Sequence, residues 1–441
     1  MRDALEFEWL GIPSVAVIAD ALTGPADAMR ALSGMAHYPY VVTPFPVGAL
    51  DGSGVTERAR DHVDEVLRLL SRRDAPTASQ TLGDTASQTL GDTPSQTLGD
   101  TPSQTLGDTA SQTLGDTADL VFDNDDDAEA AFAARGWTDG LPVALPTPGR
   151  VAALLARSHR DRDEVVVSLP TRNGLDATVA QVAVNAVMAG VEPRHFVVVL
   201  AALDAMADEQ FNLHAHTATM AGAQQVLVVR GPAVTALGFR SEDGALGPGW
   251  PSNNRVGRAV RLVIRNLLRS VPGEFDRAWF SHPGRFGWCI GEDPRTPWSL
   301  GEPDSSEVLA YATTWQASII NHDQNAEALL DEIGLAVRAA CHTNWLHRAV
   351  ASDSAFYVAR PFLFVTGAEH ARVLVRGGYR NIALLRNAIF ERLTRDDPVL
   401  RPVAVASASN IHFLYIHATG MQQTWFFAPF QSHALVRRLL P

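Results

Sequence analysis

Residues 77–116 are five consecutive octapeptides, three reading TASQTLGD and two reading TPSQTLGD. One leucine per repeat buries too little apolar surface to offset the entropy of ordering the chain, so this stretch is predicted to be disordered. Stacking of the repeats into a β-solenoid is the alternative that such regularity permits. The acidic run Asp123–Asp127 extends the segment. It resembles a loose calcium loop but lacks the glycine and distal glutamate of an EF-hand. The predicted linker spans 74–127 and splits the chain into a small part, 1–73, and a large part, 128–441.

The linker also explains the charge. Ten aspartates and no basic residue lie between 77 and 127, and they make up most of the formal net charge of −13. The remainder is nearly balanced and shows no basic stripe, so no nucleic-acid partner is expected. The chain contains no lysine, which excludes Schiff-base lysine chemistry and the P-loop lysine. No apolar run reaches the length of a membrane span, so no membrane partner is expected. The N-terminus carries charges and no signal-peptide core. Two cysteines far apart, Cys289 and Cys341, do not suggest a disulfide framework. The expected compartment is the reducing cytoplasm.

In the small part the pattern predicts a helix ending at Gly11, a strand at Ser14–Ala19, a helix near Pro25–Leu32, a strand within Pro39–Gly48 and a helix at Val55–Leu70. That helix would bury Val63, Val66, Leu67 and Leu70. Strands alternating with helices imply a parallel sheet. DALEFEWLGIPSVAVIADAL and YPYVVTPFPVGAL resemble the UGSC family of selenoproteins and their cysteine relatives, and more distantly the selenoprotein B subunits of glycine and betaine reductases. Gly11, Ile12, Pro13 and Val15 match that family's second strand, and Pro44, Pro46 and Gly48 match the loop that follows. The resemblance implies thiol- or selenol-dependent reductive chemistry, with the reactive segment expected before Met1. The unit is therefore read as truncated, lacking its first strand. It would expose an unpaired strand edge, which favours a homo-oligomer or a partner supplying a strand.

The large part reads as a second α/β domain. Strands are predicted at Val165–Leu169, Gln225–Arg230 and Pro361–Thr366. Helices are predicted at Thr178–Ala189, Arg194–Met206, Ser306–Thr314, Asn325–Ala340, Ala368–Gly377 and Asn381–Arg395. Ile411–Ala418 and Thr424–Pro429 are expected to pair as a hairpin. TDGLP, VNAVMAG, FNLH, ALGPG, GRAVRL and HPGRF resemble a bacterial domain found alongside or fused to UGSC-type domains. No reaction is implied by that likeness.

Polar chemistry concentrates between Glu209 and Trp298. Gly244, Gly247 and Gly249 precede a predicted helix from about Arg255 to Arg269, with Ser252, Asn253 and Asn254 as capping types. Arg255 and Arg258 in the first turn oppose the helix dipole, a conflict that a bound carboxylate or phosphate would relieve. His214 and His216, if extended, face one side and would serve as acid and base or bind a metal, although no third ligand is apparent. Cys289, followed by Glu292, is a candidate nucleophile that needs a nearby base or cation. His370 reads as structural, and His412 and His417 fall on opposite faces if their strand is regular. Thr138 and Asp139 would face a pocket or simply form a turn, and Asn212 stands beside the histidines. The reading is an enzyme acting on a small anionic molecule, with cofactor unidentified. A non-catalytic binding subunit and a cofactor-free hydrolase or lyase are the alternatives.

Overall fold

The computed structural model describes residues 1–9, 11–20, 23–44, 52–71, 120–169, 175–298, 304–343, 360–394, 407–430 and 432–439. The octapeptides and the expectations placed on Pro46 and Gly48 lie outside these residues. Contacts divide the chain into one unit of residues 1–116 with 171–173, and a second of 117–170 with 174–441.

The first unit runs α1 (Arg2–Trp9), β1 (Ala16–Ala19), α2 (Thr23–Leu32), β2 (Tyr40–Thr43) and α3 (Gly52–Leu70). Gly11, at φ +75°, ends the first helix as expected. The two strands pair in parallel, Ala16 opposite Tyr40 through Ala19 opposite Thr43. Ala4, Leu5, Ala16, Met35 and Tyr38 form the core. The Tyr38 hydroxyl donates to the Ser14 carbonyl at 2.7 Å. Helix α3 departs from expectation: Leu69 is buried, whereas Val63 and Leu67 are 46% and 56% exposed. Among the described residues the sheet has only two strands, too narrow to cover the whole apolar stripe of a 19-residue helix.

The second unit begins with α4 (Asp125–Ala134), α5 (Pro148–Leu155), β3 (Val165–Leu169), β4 (Leu175–Thr178), α6 (Val179–Met188), α7 (Phe196–Met206) and α8 (Leu213–Ala218). It continues with β5 (Gln224–Arg230), α9 (Ala233–Leu237), α10 (Pro251–Asn266), β6 (Trp288–Gly291), β7 (Glu307–Ile320), α11 (Ala326–Thr343) and β8 (Phe362–Thr366). It closes with α12 (Ala368–Arg376), α13 (Ile382–Thr394), β9 (Ile411–Tyr415), β10 (Gln423–Pro429) and β11 (Leu435–Arg438). The acidic run belongs to a helix here. Asn124 caps α4 by accepting from the Asp127 amide at 2.9 Å, and Asp125, Asp126 and Asp127 occupy the first turn, where the dipole favours them.

Strands order β6-β5-β7-β10-β8-β9, with β11 also on β7. The β5–β6 and β8–β9 pairs are parallel and the others antiparallel. Two expectations are corrected. The segment 306–314, read as a helix, is the start of β7, buried from Glu307 to Thr313; a strand covered on both faces shows an apolar run that periodicity cannot tell from a helix. Ile411–Tyr415 and Gln423–Pro429 do not pair with each other, because β8 lies between them.

The two edge strands approach one another. The Asp293 amide, just past β6, donates to the Tyr415 carbonyl of β9 at 3.0 Å, and the His417 amide donates to the Ser241 carbonyl. The sheet is therefore curled, and one of its faces forms a single interior cluster with Val226, Ile290, Tyr311, Val365, Leu414 and Phe427. The other face of β8–β10 packs against α11–α13 through Phe362, Phe364, Phe413 and Phe426. Phe364 stacks on Phe413 with centroids 4.9 Å apart.

Candidate functional site

Helix α10 positions most of the polar groups singled out above. Val256, Ala259, Val260, Val263 and Ile264 are buried, which accounts for the helix. It starts earlier than expected: Trp250 is the N-cap and Pro251 opens the first turn. Ser252, Asn253 and Asn254 thus lie inside the helix and reach back to the preceding loop. Asn253 brackets Arg240, accepting from its amide at 2.9 Å and donating to its carbonyl at 2.9 Å. Asn254 donates to the Gly247 carbonyl at 3.1 Å, and the Gly247 amide donates to Gly244 at 2.8 Å. Gly249 has φ +116°. The glycine loop is therefore folded onto the helix by its own hydrogen bonds. One close approach fixes the helix against β6: a Cβ on Gly257 would lie 2.4 Å from the Gly287 carbonyl oxygen.

The arginines expected to hold an anion are already paired. Arg258 makes two 2.8 Å bonds to the Asp139 carboxylate and a third, at 2.9 Å, to the Pro142 carbonyl. Arg265 donates to the Thr138 carbonyl at 2.8 Å and Asn266 to Trp137 at 2.8 Å. The TDGLP turn is thus a clamp on α10, with Thr138 and Asp139 as its contacts. Arg255 reaches Glu192 at 3.3 Å. Because the helix starts at Pro251, Arg255 and Arg258 lie beyond its first turn and the expected conflict with the dipole does not arise; protein carboxylates meet both charges.

His214 and His216 are not on an extended segment. Asn212 adopts a left-handed conformation, φ 56°, and its carbonyl accepts from the His216 amide at 3.0 Å, starting the short helix α8. Two residues apart on a helix point in different directions. His214 packs edge-on against Phe275 at 5.6 Å, while His216 is fully buried beside Phe211 and Phe430.

Around His216 lies a cluster that local patterns did not reveal. The Asp276 carboxylate accepts from Arg261 Nη2 at 3.1 Å and from Arg285 Nη1 at 2.9 Å. All three side chains are at least nine-tenths buried. Two guanidinium groups therefore share one carboxylate, leaving an uncompensated positive charge in the interior. Arg261 Nη1, Arg285 Nε, both His216 ring nitrogens and Gln224 Oε1 have no protein hydrogen-bond partner. The Gln224 main chain lies beside the imidazole but does not meet hydrogen-bond geometry. Burial, then the Arg261 and Arg285 charges, push the His216 pKa down to about 3, so the ring is neutral at neutral pH. Burial and the neighbouring Arg285 lower Arg261 to about 9. Gln224 connects the cluster to the sheet, donating to the Thr313 hydroxyl at 3.2 Å. Arg261, Asp276 and Arg285 all fall within the polar stretch 209–298. The one signal in the sequence is Arg261 standing inside the apolar run AVRLVI.

Cys289 and Glu292 are in different surroundings. Cys289 is buried beneath α10, and burial raises its thiol pKa far above the free value. No cation or base lowers it, so the environment opposes the thiolate that a nucleophile requires. Glu292, 5% exposed, is raised to about 8 by burial, partly offset by Arg230. Nearby, Arg230 and Glu307 form a buried ion pair across β5 and β7, and Tyr311 and His412 share a 2.9 Å hydrogen bond. His370 is buried between the Thr424 hydroxyl and the Asn321 carbonyl, a structural role. Among the described residues, no group of His, Cys, Asp and Glu is arranged to hold a metal ion, and no helix is long and apolar enough to cross a membrane.

The first unit carries the comparison with known proteins. The model of the UGSC family matches residues 1–72, so this part of the chain is similar to that family. No curated protein matches the chain.

Proposed function

We propose that the second unit holds a small anion, a carboxylate or phosphate, at the Arg261–Asp276–Arg285 cluster. The observation behind this reading is the buried excess of one guanidinium charge with unpartnered N–H groups beside a neutral imidazole. An unpaired charge in a low-dielectric interior costs several kcal/mol, and an anionic ligand is the chemistry that balances it. Its oxygens would accept from Arg261 Nη1 and Arg285 Nε as charge-assisted hydrogen bonds. His216, neutral there, would donate or accept one more, and the incoming negative charge would raise its pKa toward the range useful for proton transfer. The similarity of residues 1–72 to the UGSC family makes thiol- or selenol-dependent reduction the reaction class for such a substrate. The burial of Cys289 favours the second reading, a binding subunit whose own thiol takes no part.

Isothermal titration of the full chain with inorganic phosphate and with acetate tests the site. Wild type should bind one of them, and Arg285→Met should weaken that binding by about 10- to 100-fold. Arg285→Lys, which restores the charge without the fork, should recover part of it. Absence of heat with either anion up to roughly 10 mM, a millimolar affinity being the weakest that a lone ion contact gives, would sink the reading. So would equal binding by a folded Arg285→Met.

A further inference from the structure

A second region of the same unit has the makings of a binding site, and none of its residues belongs to the cluster above. A cavity of about 770 Å³ is lined by Arg157, His159, Arg194 and Arg438 around a floor containing Val197, Ala233 and Leu237. It lies where β5 ends, β7 begins and β11 finishes. Gly231, at φ +76°, allows the chain after β5 to touch this wall: a Cβ there would sit 2.1 Å from the Ser305 carbonyl oxygen.

The polar groups of the cavity divide into those already engaged and those that are not. The Ser306 hydroxyl accepts from the Ala233 amide at 3.0 Å, and the Ser306 carbonyl accepts from the Leu439 amide at 2.8 Å. Ser305 donates to Glu307 at 3.1 Å. Arg194 is paired with Glu192 at 3.0 Å. Neighbouring Arg437 is paired with Asp208 at 3.2 Å. Arg157 and Arg438 are exposed and lack an ion-pair partner among the described residues. The lining therefore presents two guanidinium groups with no ion-pair partner among the described residues, and one acidic side chain, Asp304, above an apolar floor. In a chain of net charge −13, such a local positive excess attracts anions selectively.

Volume separates the ligand classes. Pockets for drug-sized molecules span roughly 300–1,000 Å³, so this cavity far exceeds a bare phosphate or acetate. Such an ion would meet a guanidinium and leave the floor in contact with water. An anionic group attached to an apolar body would use both. We propose that this cavity binds an amphipathic organic anion, with Arg157 and Arg438 on the phosphate or carboxylate and Val197, Ala233 and Leu237 under the apolar body.

The test uses the full chain and four probes: 1-naphthyl phosphate, 1-naphthoate, neutral 1-naphthol and inorganic phosphate, each titrated calorimetrically. Either naphthyl anion should bind at least about 10-fold more tightly than 1-naphthol and than inorganic phosphate, a difference of one charge-assisted contact or one buried ring face. Which of the two anions binds more tightly identifies the head group. The Arg157→Glu/Arg438→Glu double variant should lose about 100-fold, since two attractive charges become repulsive. Both positions are exposed, so the variant's thermal melt should match wild type. Arg285→Met should leave naphthyl-anion binding intact, and the double variant should leave binding of the small ion at the buried cluster intact; these crossed controls separate the two sites. Equal affinity of naphthol and the naphthyl anions, or undiminished binding by the folded double variant, overturns the proposal.

Discussion

Two buried polar clusters in the second unit differ in how their charges are balanced. On the interior face of the curled sheet, Arg230 has Glu307 to itself, and nearby Glu292 holds its proton to about pH 8. Around α10, Asp276 serves both Arg261 and Arg285. The first cluster is neutral at pH 7 and needs no counter-ion, although Glu292 Oε1 has no protein hydrogen-bond partner; the second keeps a positive charge and unpartnered donors. A buried charge that is paired contributes to a unique fold at little net energy, whereas one in excess costs stability unless something else meets it. The contrast separates a structural network from a candidate binding site.

Breaking the balanced cluster should have the largest effect. Arg230→Met leaves Glu307 buried and unpaired, and should destabilise the second unit by about 3–5 kcal/mol in chemical denaturation. A loss below about 1 kcal/mol, the range of exposed pairs, would mean that the pair is effectively solvated.

The next effect is on pH dependence, where the clusters should act in opposite directions. Glu292 is raised from 4.5 to about 8 in the folded state. Its contribution is therefore fully present below pH 4.5 and is lost as pH rises toward 8. His216 is lowered from 6.5 to about 3. Its contribution is present above pH 6.5 and is lost as pH falls toward 3. Each slope is on the order of 1 kcal/mol per pH unit. Glu292→Gln should flatten the alkaline limb of stability, and His216→Gln the acid limb. Urea melts of both variants from pH 4 to 9 check this; a common effect on one limb would merge the two clusters into one titrating system.

Arg285→Met should cause the smallest loss of stability, namely none. It removes the surplus charge and leaves Arg261 paired with Asp276, so the unfolding free energy should not fall and should rise by up to about 4 kcal/mol, while anion binding falls as described above. A loss as large as that of Arg230→Met would show that the second guanidinium is structural and erase the distinction between the clusters.

The order of helices and strands was largely readable because local periodicity reports burial on one face. Helices α6, α7, α10, α11, α12 and α13 stand within a few residues of expectation, as do β3, β5 and β8. The Asp139 turn and the Arg258 helix were both visible, but not their mutual contact across 119 residues. That contact converted two candidate ligand groups into a clamp. His214 and His216 diverged because Asn212 starts a helix, a local conformational choice that an i, i+2 spacing does not reveal.

The sequence by itself determined the UGSC-like pattern of the first unit and the concentration of polar residues from Glu209 to Trp298. Tertiary structure decided which charges are paired. Arg261, Asp276 and Arg285 lie 15 and 9 residues apart, on a helix and the loop after it, where sequence reading assigns arginine and aspartate to solvent. Only the packing of that loop against α10, α8 and the start of β5 takes the three out of water. Electrostatic energy depends on distance and on the surrounding dielectric, and neither is a local property of the chain.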